Sequence, residues 1–446
     1  MMNTELTFAN RDEFQRKSIA ENINTLLASG LDLSPMMIDG NWGTGKTEFS
    51  HKLCNYLNEN GKRYVVYIDA FKEDHTDEPI LSIMAAIANI LPEKEKKTLI
   101  SKSLPAMRFG LKTLGKAGVN WFLKQDADQI ADEFDEVIKD VSNTAIDKTV
   151  ESLLNDHIDA EKNIHTLQTT LSDISKNKEI IIIIDELDRC KPSFSISILE
   201  KIKHIFNTEN VHFILVANAE QIKASVNHIY GNAINAQRYL DKFIKYSFTL
   251  PRTVKVNDNS DKLASVQYWH ALANENKHIS SFCNPMAKLI EEMITRSNLS
   301  LRDVEDLVRH ASIYQIISDN AINPRVLPIL NIARLMALLI QSTCSRETID
   351  NFPSKQSIET MAVKLGIKRL PFQKEYDIED VPELEITFYL LIKDNFPSES
   401  FLSPAPLEIQ TYLDQRIARL YSPGVLKTVD IRKTFFNAIS IMTLSK

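Results

Sequence analysis

Glycine is scarce in this chain, at 11 of 446 residues, well under the background of about 7%. A turn-rich β architecture needs more of it, so the shortage favours helices. Cysteine is sparse as well. Cys54, Cys190, Cys283 and Cys344 lie far apart, with no CxxC pair and no Cys/His spacing suited to zinc. The expectation is a reduced, cytoplasmic protein whose thiols are packing residues. No run of about 18 uncharged apolar residues occurs, so no membrane span is expected. The N-terminus, MMNTELTFANRDEF, lacks a basic segment followed by an apolar one, so it does not read as a signal peptide. Positive charge is outnumbered, with 52 Lys and Arg against 59 Asp and Glu and a net charge of −7. Bulk electrostatics therefore give no reason to expect nucleic-acid binding. Hydrophobic residues at 43% and charged residues at 25% fit a soluble globular chain, not a disordered one. At about 150 residues per domain, the length suggests two or three domains.

What is present has a clear order. Residues 11–30 read as a helix, with Phe14, Ile19, Ile23, Leu26 and Leu27 on one stripe and Gly30 as its C-cap. The apolar run Met36–Ile38 follows. A helix is expected from about Lys46 to Asn58, a buried strand over Tyr64–Ile68 and a helix over Pro79–Leu91. Five consecutive isoleucines, Ile180–Ile184, cannot face water on either side, so they read as a central strand. Ser193–Phe206 reads as a helix, Val211–Ala217 as another buried strand and Ser247–Leu250 as a short last one. Alternating strands and helices predict an α/β fold with a parallel sheet flanked by helices.

Residues 93–176 interrupt this alternation and read as a helical insertion. Its first part, Lys94–Lys124, holds eight Lys and Arg against one acid, Glu95. Trp121 and Phe122 lie within it, a composition compatible with a solvated basic helix face, a membrane-surface or partner contact, or nucleic acid. Acids dominate Asp126–Glu161, where Ile130, Phe134, Val137 and Val141 form one helical face, and Ile164, Leu167, Leu171 and Ile174 repeat the pattern. Beyond about 255 the patterns are helical. The expected organisation is a core of 1–92 and 177–254, an insertion of 93–176 and an all-helical region of 255–446.

Three of the few glycines, Gly40, Gly43 and Gly45, fall within six residues. They belong to Gly40-Asn41-Trp42-Gly43-Thr44-Gly45-Lys46-Thr47, a complete G-x-x-x-x-G-K-[ST] loop between an apolar strand and a helix. Such glycines let main-chain N–H groups turn inward around phosphate, at the positive end of a helix. Cofactor contacts are expected from Gly40 to Thr47 and from the adjoining Glu48. Lys46 would neutralise the β- and γ-phosphates, and the Thr47 hydroxyl would ligate Mg²⁺. The acid ending the isoleucine strand, Asp185, is the expected second Mg²⁺ ligand, and Glu186 is placed to activate water as general base.

These residues resemble those of the KAP family of P-loop NTPases. Trp42 before Gly43, the segment YIDAFKEDHTDEPI (67–80), DELDRC (185–190), RYLDKFIKYSFTLP (238–251) and SLRDVED (300–306) are all similar to family blocks. The resemblance implies an ATPase, with an insertion between the two phosphate-site motifs that often carries membrane spans; none is visible here. It adds candidate roles. Asn218, where the family usually has Asp, is a candidate for orienting the lytic water or for capping its strand. Arg189 would reach a neighbouring subunit's nucleotide or lock strand to helix. Arg238 and Arg302 are candidate γ-phosphate sensors. By resemblance, ATP·Mg²⁺ would drive a conformational or assembly switch in an oligomer with a protein partner, in anti-phage defence or membrane-associated signalling. The absence of an Asn/Thr-Lys-x-Asp motif favours ATP over GTP. Two other readings remain, a nucleotide-binding scaffold with negligible turnover and a nucleic-acid-stimulated ATPase.

Overall fold

The computed structural model describes residues 6–76, 79–111, 164–206, 208–257, 260–367, 382–393, 415–418 and 430–444. The chain divides into two compact units, Met1–Pro251 and Arg252–Lys446.

The first unit is built on a parallel sheet of β1 (Met36–Asp39), β2 (Arg63–Asp69), β3 (Glu179–Asp185), β4 (Val211–Ala217) and β5 (Tyr246–Thr249), in the order β2-β3-β4-β1-β5. The isoleucine run is central and buried on both faces. Ile180, Ile182 and Ile184 point into one apolar layer, Ile181 and Ile183 into the other, and all five are fully buried. One layer is closed by helices Lys17–Ala28 and Lys46–Asn58 through Ile23, Leu27, Phe49 and Leu53. The other is closed by Pro79–Ile90, Pro192–Ile205 and Ala219–Tyr230. Parallel registration pairs Asp69 with Asp185, and Asp39 with both Ala217 and Thr249, so all five strands end together at one edge. In such sheets the crevice beyond the strands' carboxyl ends holds the ligand.

Two expectations need correction. The first helix begins at Lys17, not at residue 11. Asp12 accepts the N–H groups of Arg16 (2.8 Å) and Lys17 (3.2 Å), which caps the helix late. The described flanks of the 93–176 insertion pack on the core. Leu99, Ile100, Leu167, Leu171 and Ile174 are buried in the same apolar cluster as Ile180, Ile182 and Ile184. The helical stripe read at 164–174 faces the sheet. The acidic stripe Ile130–Val141 and the aromatic end of the basic block lie outside the described residues.

The second unit opens with a feature that the helical reading of 255–446 omitted. β6 (Thr253–Asn257) and β7 (Ser260–Leu263) form an antiparallel hairpin. Its signal is short, two β-branched valines alternating with polar residues before Asn-Asp-Asn-Ser. Helices follow, among them Ala264–Glu275, Leu301–Ile317, Pro328–Thr343 and Ile431–Met442. Trp269, Phe282, Phe388 and Phe435 are among its fully buried side chains. No helix among the described residues is long and apolar enough to cross a membrane.

Candidate functional site

The glycine loop joins β1 to the helix Lys46–Asn58. Gly43 and Gly45 both take left-handed backbone angles, φ 73° and 78°, which side-chain-bearing residues adopt at a cost. A Cβ at Gly40 would meet the Thr44 hydroxyl at 2.9 Å, so the loop closes on itself only with glycine there. The Thr44 hydroxyl donates to Asn41 O (2.8 Å). Lys46 is buried, and its ammonium donates to Gly40 O (2.7 Å) and Asn41 O (3.2 Å), across the mouth of the loop. Glu48 is turned along the helix to Lys52, at 2.6 Å. Trp42 is 55% exposed, yet its indole N–H donates to Asp188 Oδ2 (2.9 Å) and so ties the loop to the segment after β3.

That segment brings the second motif to the loop. Asp185 is fully buried at the end of β3. It accepts the Tyr67 hydroxyl (3.0 Å) and the main-chain N–H of Glu186 (2.8 Å). Tyr67, on β2, is braced by His51, whose ring stacks on it at 4.3 Å. Glu186 takes a left-handed backbone, φ 61°. Its carboxylate accepts the Thr47 hydroxyl (2.8 Å) and pairs with the Arg189 guanidinium. The Thr47 hydroxyl also faces Asp185. The three side chains that the sequence assigned to metal and water therefore meet at one point, beside the loop's amides.

Burial, and then the charge of Glu186, push the Asp185 carboxyl up to about 6, although the bonds from Glu186 N–H, Tyr67 and Thr47 oppose the rise. A raised carboxylate means that the fold penalises the ionised form. In metal-free protein the penalty is full above about 6 and is relieved as pH falls toward the unfolded value near 4. Removing that carboxylate with Asp185→Asn should stabilise the chelator-treated protein by ~2–3 kcal/mol at pH 7.5, the gain shrinking toward pH 5. Thermal melts of both proteins across this range check it; parallel melting curves at every pH would refute it.

The residues also fit the metal that the fold class implies. A hydroxyl and a carboxylate are hard oxygen donors of the kind Mg²⁺ takes. Among the described residues no cluster of three His, Cys, Asp or Glu side chains could hold a metal alone. A Mg²⁺ held by Thr47 and Asp185 would thus complete its shell with water and phosphate oxygens.

Asn218, buried at the end of β4, caps the next helix by accepting the Glu220 N–H (3.1 Å). Its strand neighbour Asp39 accepts the Ala219 N–H (2.9 Å). Arg238 is exposed on the short helix Ala236–Leu240. Arg302 is exposed on a helix of the second unit, next to the capping box of Ser300 and Asp303. Sequence reasoning missed Arg16, which is buried and donates to main-chain carbonyls of the glycine loop. A single arginine before an amphipathic helix carries no motif that could have singled it out. Tyr67 falls in the β2 run and opens the family-like block 67–80, but the sequence assigns it no role at the site.

A parallel sheet of this order, a glycine loop opening a helix and an acid ending the neighbouring buried strand define a P-loop NTPase, a nucleotide-binding class. The sequence matches the KAP family P-loop domain over residues 16–317, and the chain belongs to that family. It is similar to the phage T7 exclusion protein of Escherichia coli (strain K12), at 21% identity over 271 residues. That match covers 54% of this chain and 33% of the relative, so the chain spans about a third of that protein. A solved structure of Drosophila ORC bound to DNA aligns with 97% of this chain and 96% of its own, at 10% identity and a TM-score of 0.33.

Proposed function

We propose that the chain binds ATP with Mg²⁺ and hydrolyses it, using nucleotide state to switch its contacts with a protein partner. The observation that carries this reading is the meeting of Thr47, Asp185 and Glu186 beside the glycine loop. Amides of Gly43 to Thr47 and the Lys46 ammonium would receive the phosphates. When bound, Mg²⁺ would supply charge neutralisation at the phosphate oxygens. Thr47 and Asp185 would hold it, Tyr67 would fix the Asp185 carboxylate, and Glu186 would take the proton of the attacking water. Asn218 would either orient that water or act only as the cap described above. Arg238 and Arg302 are proposed γ-phosphate sensors that respond to nucleotide state.

The pairing of Arg189 with Glu186 supports a specific role for that arginine, restraint of the base until the site engages its nucleotide. Arg189→Ala should then leave ATP affinity intact and raise basal turnover several-fold. A loss of turnover that appears only in the assembled protein would instead support a finger reaching a neighbouring subunit.

The proposed setting is a cytoplasmic homo-oligomer in anti-phage defence, its effector supplied by a partner. The support is the relative's name together with the shared domain, over a third of that relative's length. Peripheral membrane contact through 94–124 stays a proposal on composition. Steady-state release of phosphate from ATP by the full chain, with and without Mg²⁺, tests the central reading. Binding without turnover would favour the scaffold, and turnover stimulated by DNA or RNA would favour the nucleic-acid motor.

A further inference from the structure

Arg16 is 4% exposed and forms no carboxylate ion pair among those of the described residues. Its guanidinium is spent on neutral main-chain oxygens: Thr44 O at 2.8 Å, Gly45 O at 3.4 Å and Pro251 O at 3.2 Å. One face lies 4.9 Å from the centre of the Phe14 ring. Burial pushes the guanidinium down to about 10, with Glu48, Glu13 and Asp12 opposing the fall, so it stays charged near neutrality. A buried cation is costly to keep unless its hydrogen bonds are worth more elsewhere. Here they go to two successive carbonyls of the phosphate loop and to the last residue of the first unit.

The geometry of the peptide bond says what those bonds do. In a trans peptide the C=O and the following N–H point in opposite directions. The Thr44 carbonyl shares its plane with the Gly45 N–H, and the Gly45 carbonyl shares its plane with the Lys46 N–H. A donor that holds both carbonyls from behind therefore aims both amides forward, toward the phosphate position. Hydrogen bonding to a carbonyl also polarises the N–H of the same peptide. The Gly45 carbonyl already accepts the Phe49 N–H (3.1 Å) of the helix, so Arg16 takes its second lone pair. Lysine, with one point charge, cannot reach three carbonyls in this fork.

We propose that Arg16 is a positioning residue of the phosphate cradle, orienting the Gly45 and Lys46 amides from behind and linking that cradle to Pro251, where the chain passes into its second unit. The inference rests on the nucleotide-binding reading above and assigns a part of that site which no phosphate-loop motif contains. The third bond makes it more than a loop brace. A change in the loop's peptide planes on nucleotide binding is felt at the carbonyl of Pro251, one bond from Arg252.

The test uses the full chain with Arg16→Met, which keeps length and removes charge, and Arg16→Lys, which keeps charge and loses the fork. Affinities for ATP and ADP are measured by titration. Hydrogen exchange is followed in peptides covering 43–49 and 249–255, with and without ATP. Wild-type protein should show ATP-dependent protection in both peptides. Both variants should bind ATP and ADP at least tenfold more weakly, and at saturating ATP Arg16→Lys should keep protection at 43–49 while losing it at 249–255. Melting curves without nucleotide separate this from general destabilisation, and if Arg16→Met does not fold, Arg16→Lys decides alone. Variant affinities equal to wild type, or retained protection at 249–255, would overturn the inference while leaving nucleotide binding in place. Wild-type protein that binds no nucleotide would overturn both.

Discussion

Lys46→Met should abolish ATP binding over the range in which the wild-type chain is expected to saturate. Lys46 is almost fully buried beneath the loop, its ammonium donating to Gly40 O at 2.7 Å and Asn41 O at 3.2 Å. These are neutral acceptors, and the same reach covers the mouth of the loop where β- and γ-phosphate charge would sit. Removing one partner of a desolvated charge pair costs about 3–5 kcal/mol. At 1.4 kcal/mol per decade this is a loss of about 100- to 1000-fold or more in affinity. Methionine retains the aliphatic stem, so packing against the loop survives and melting temperature should change little. Fluorescent-nucleotide titration reads the effect directly. Binding within a few-fold of wild type would mean that the phosphates do not approach Lys46.

Glu186→Gln separates binding from chemistry. The carboxylate is held by the Thr47 hydroxyl at 2.8 Å and by Arg189, on a backbone with φ 61° that aims it back at the loop. Glutamine keeps the size and can still accept from Thr47, but it cannot take a proton. Loss of a general base costs about 10²- to 10⁴-fold in turnover. ATP affinity should stay within a few-fold, because the amides and Lys46 are untouched, and the variant should accumulate as an ATP-bound form. Unchanged turnover would remove Glu186 from the mechanism. Equal, negligible turnover in both proteins would leave the chain a nucleotide-responsive scaffold.

The two phosphate-site motifs were legible because each is contiguous and its chemistry requires particular residue types at fixed spacing. The strands were legible for a related reason. A strand buried on both faces must be apolar at every position, and Ile180–Ile184 and Phe213–Ala217 are. The strand order was not legible, since β1 pairs with β4 and β5 across more than a hundred residues of intervening chain and local pattern carries no such information. Leu167 and Leu171 announce an apolar helical face, but nothing local says that this face covers the isoleucine strand. The start of the first helix was misplaced because the periodic stripe includes Phe14, whereas Asp12 caps the chain at Arg16. Arg16 itself was invisible for the same reason. Its partners Thr44 and Pro251 are acceptors through their main chain, which every residue offers, so their identities reveal nothing of the contact. Tyr67 likewise reads as a strand aromatic until the sheet register brings it to Asp185.

The most direct test is calorimetric titration of the full chain with ATP in the presence and absence of Mg²⁺. The arrangement of loop amides, Lys46, Thr47 and Asp185 predicts one saturable site per chain, tightened by Mg²⁺ at neutral pH. Absence of saturable heat with either form of the nucleotide would contradict it.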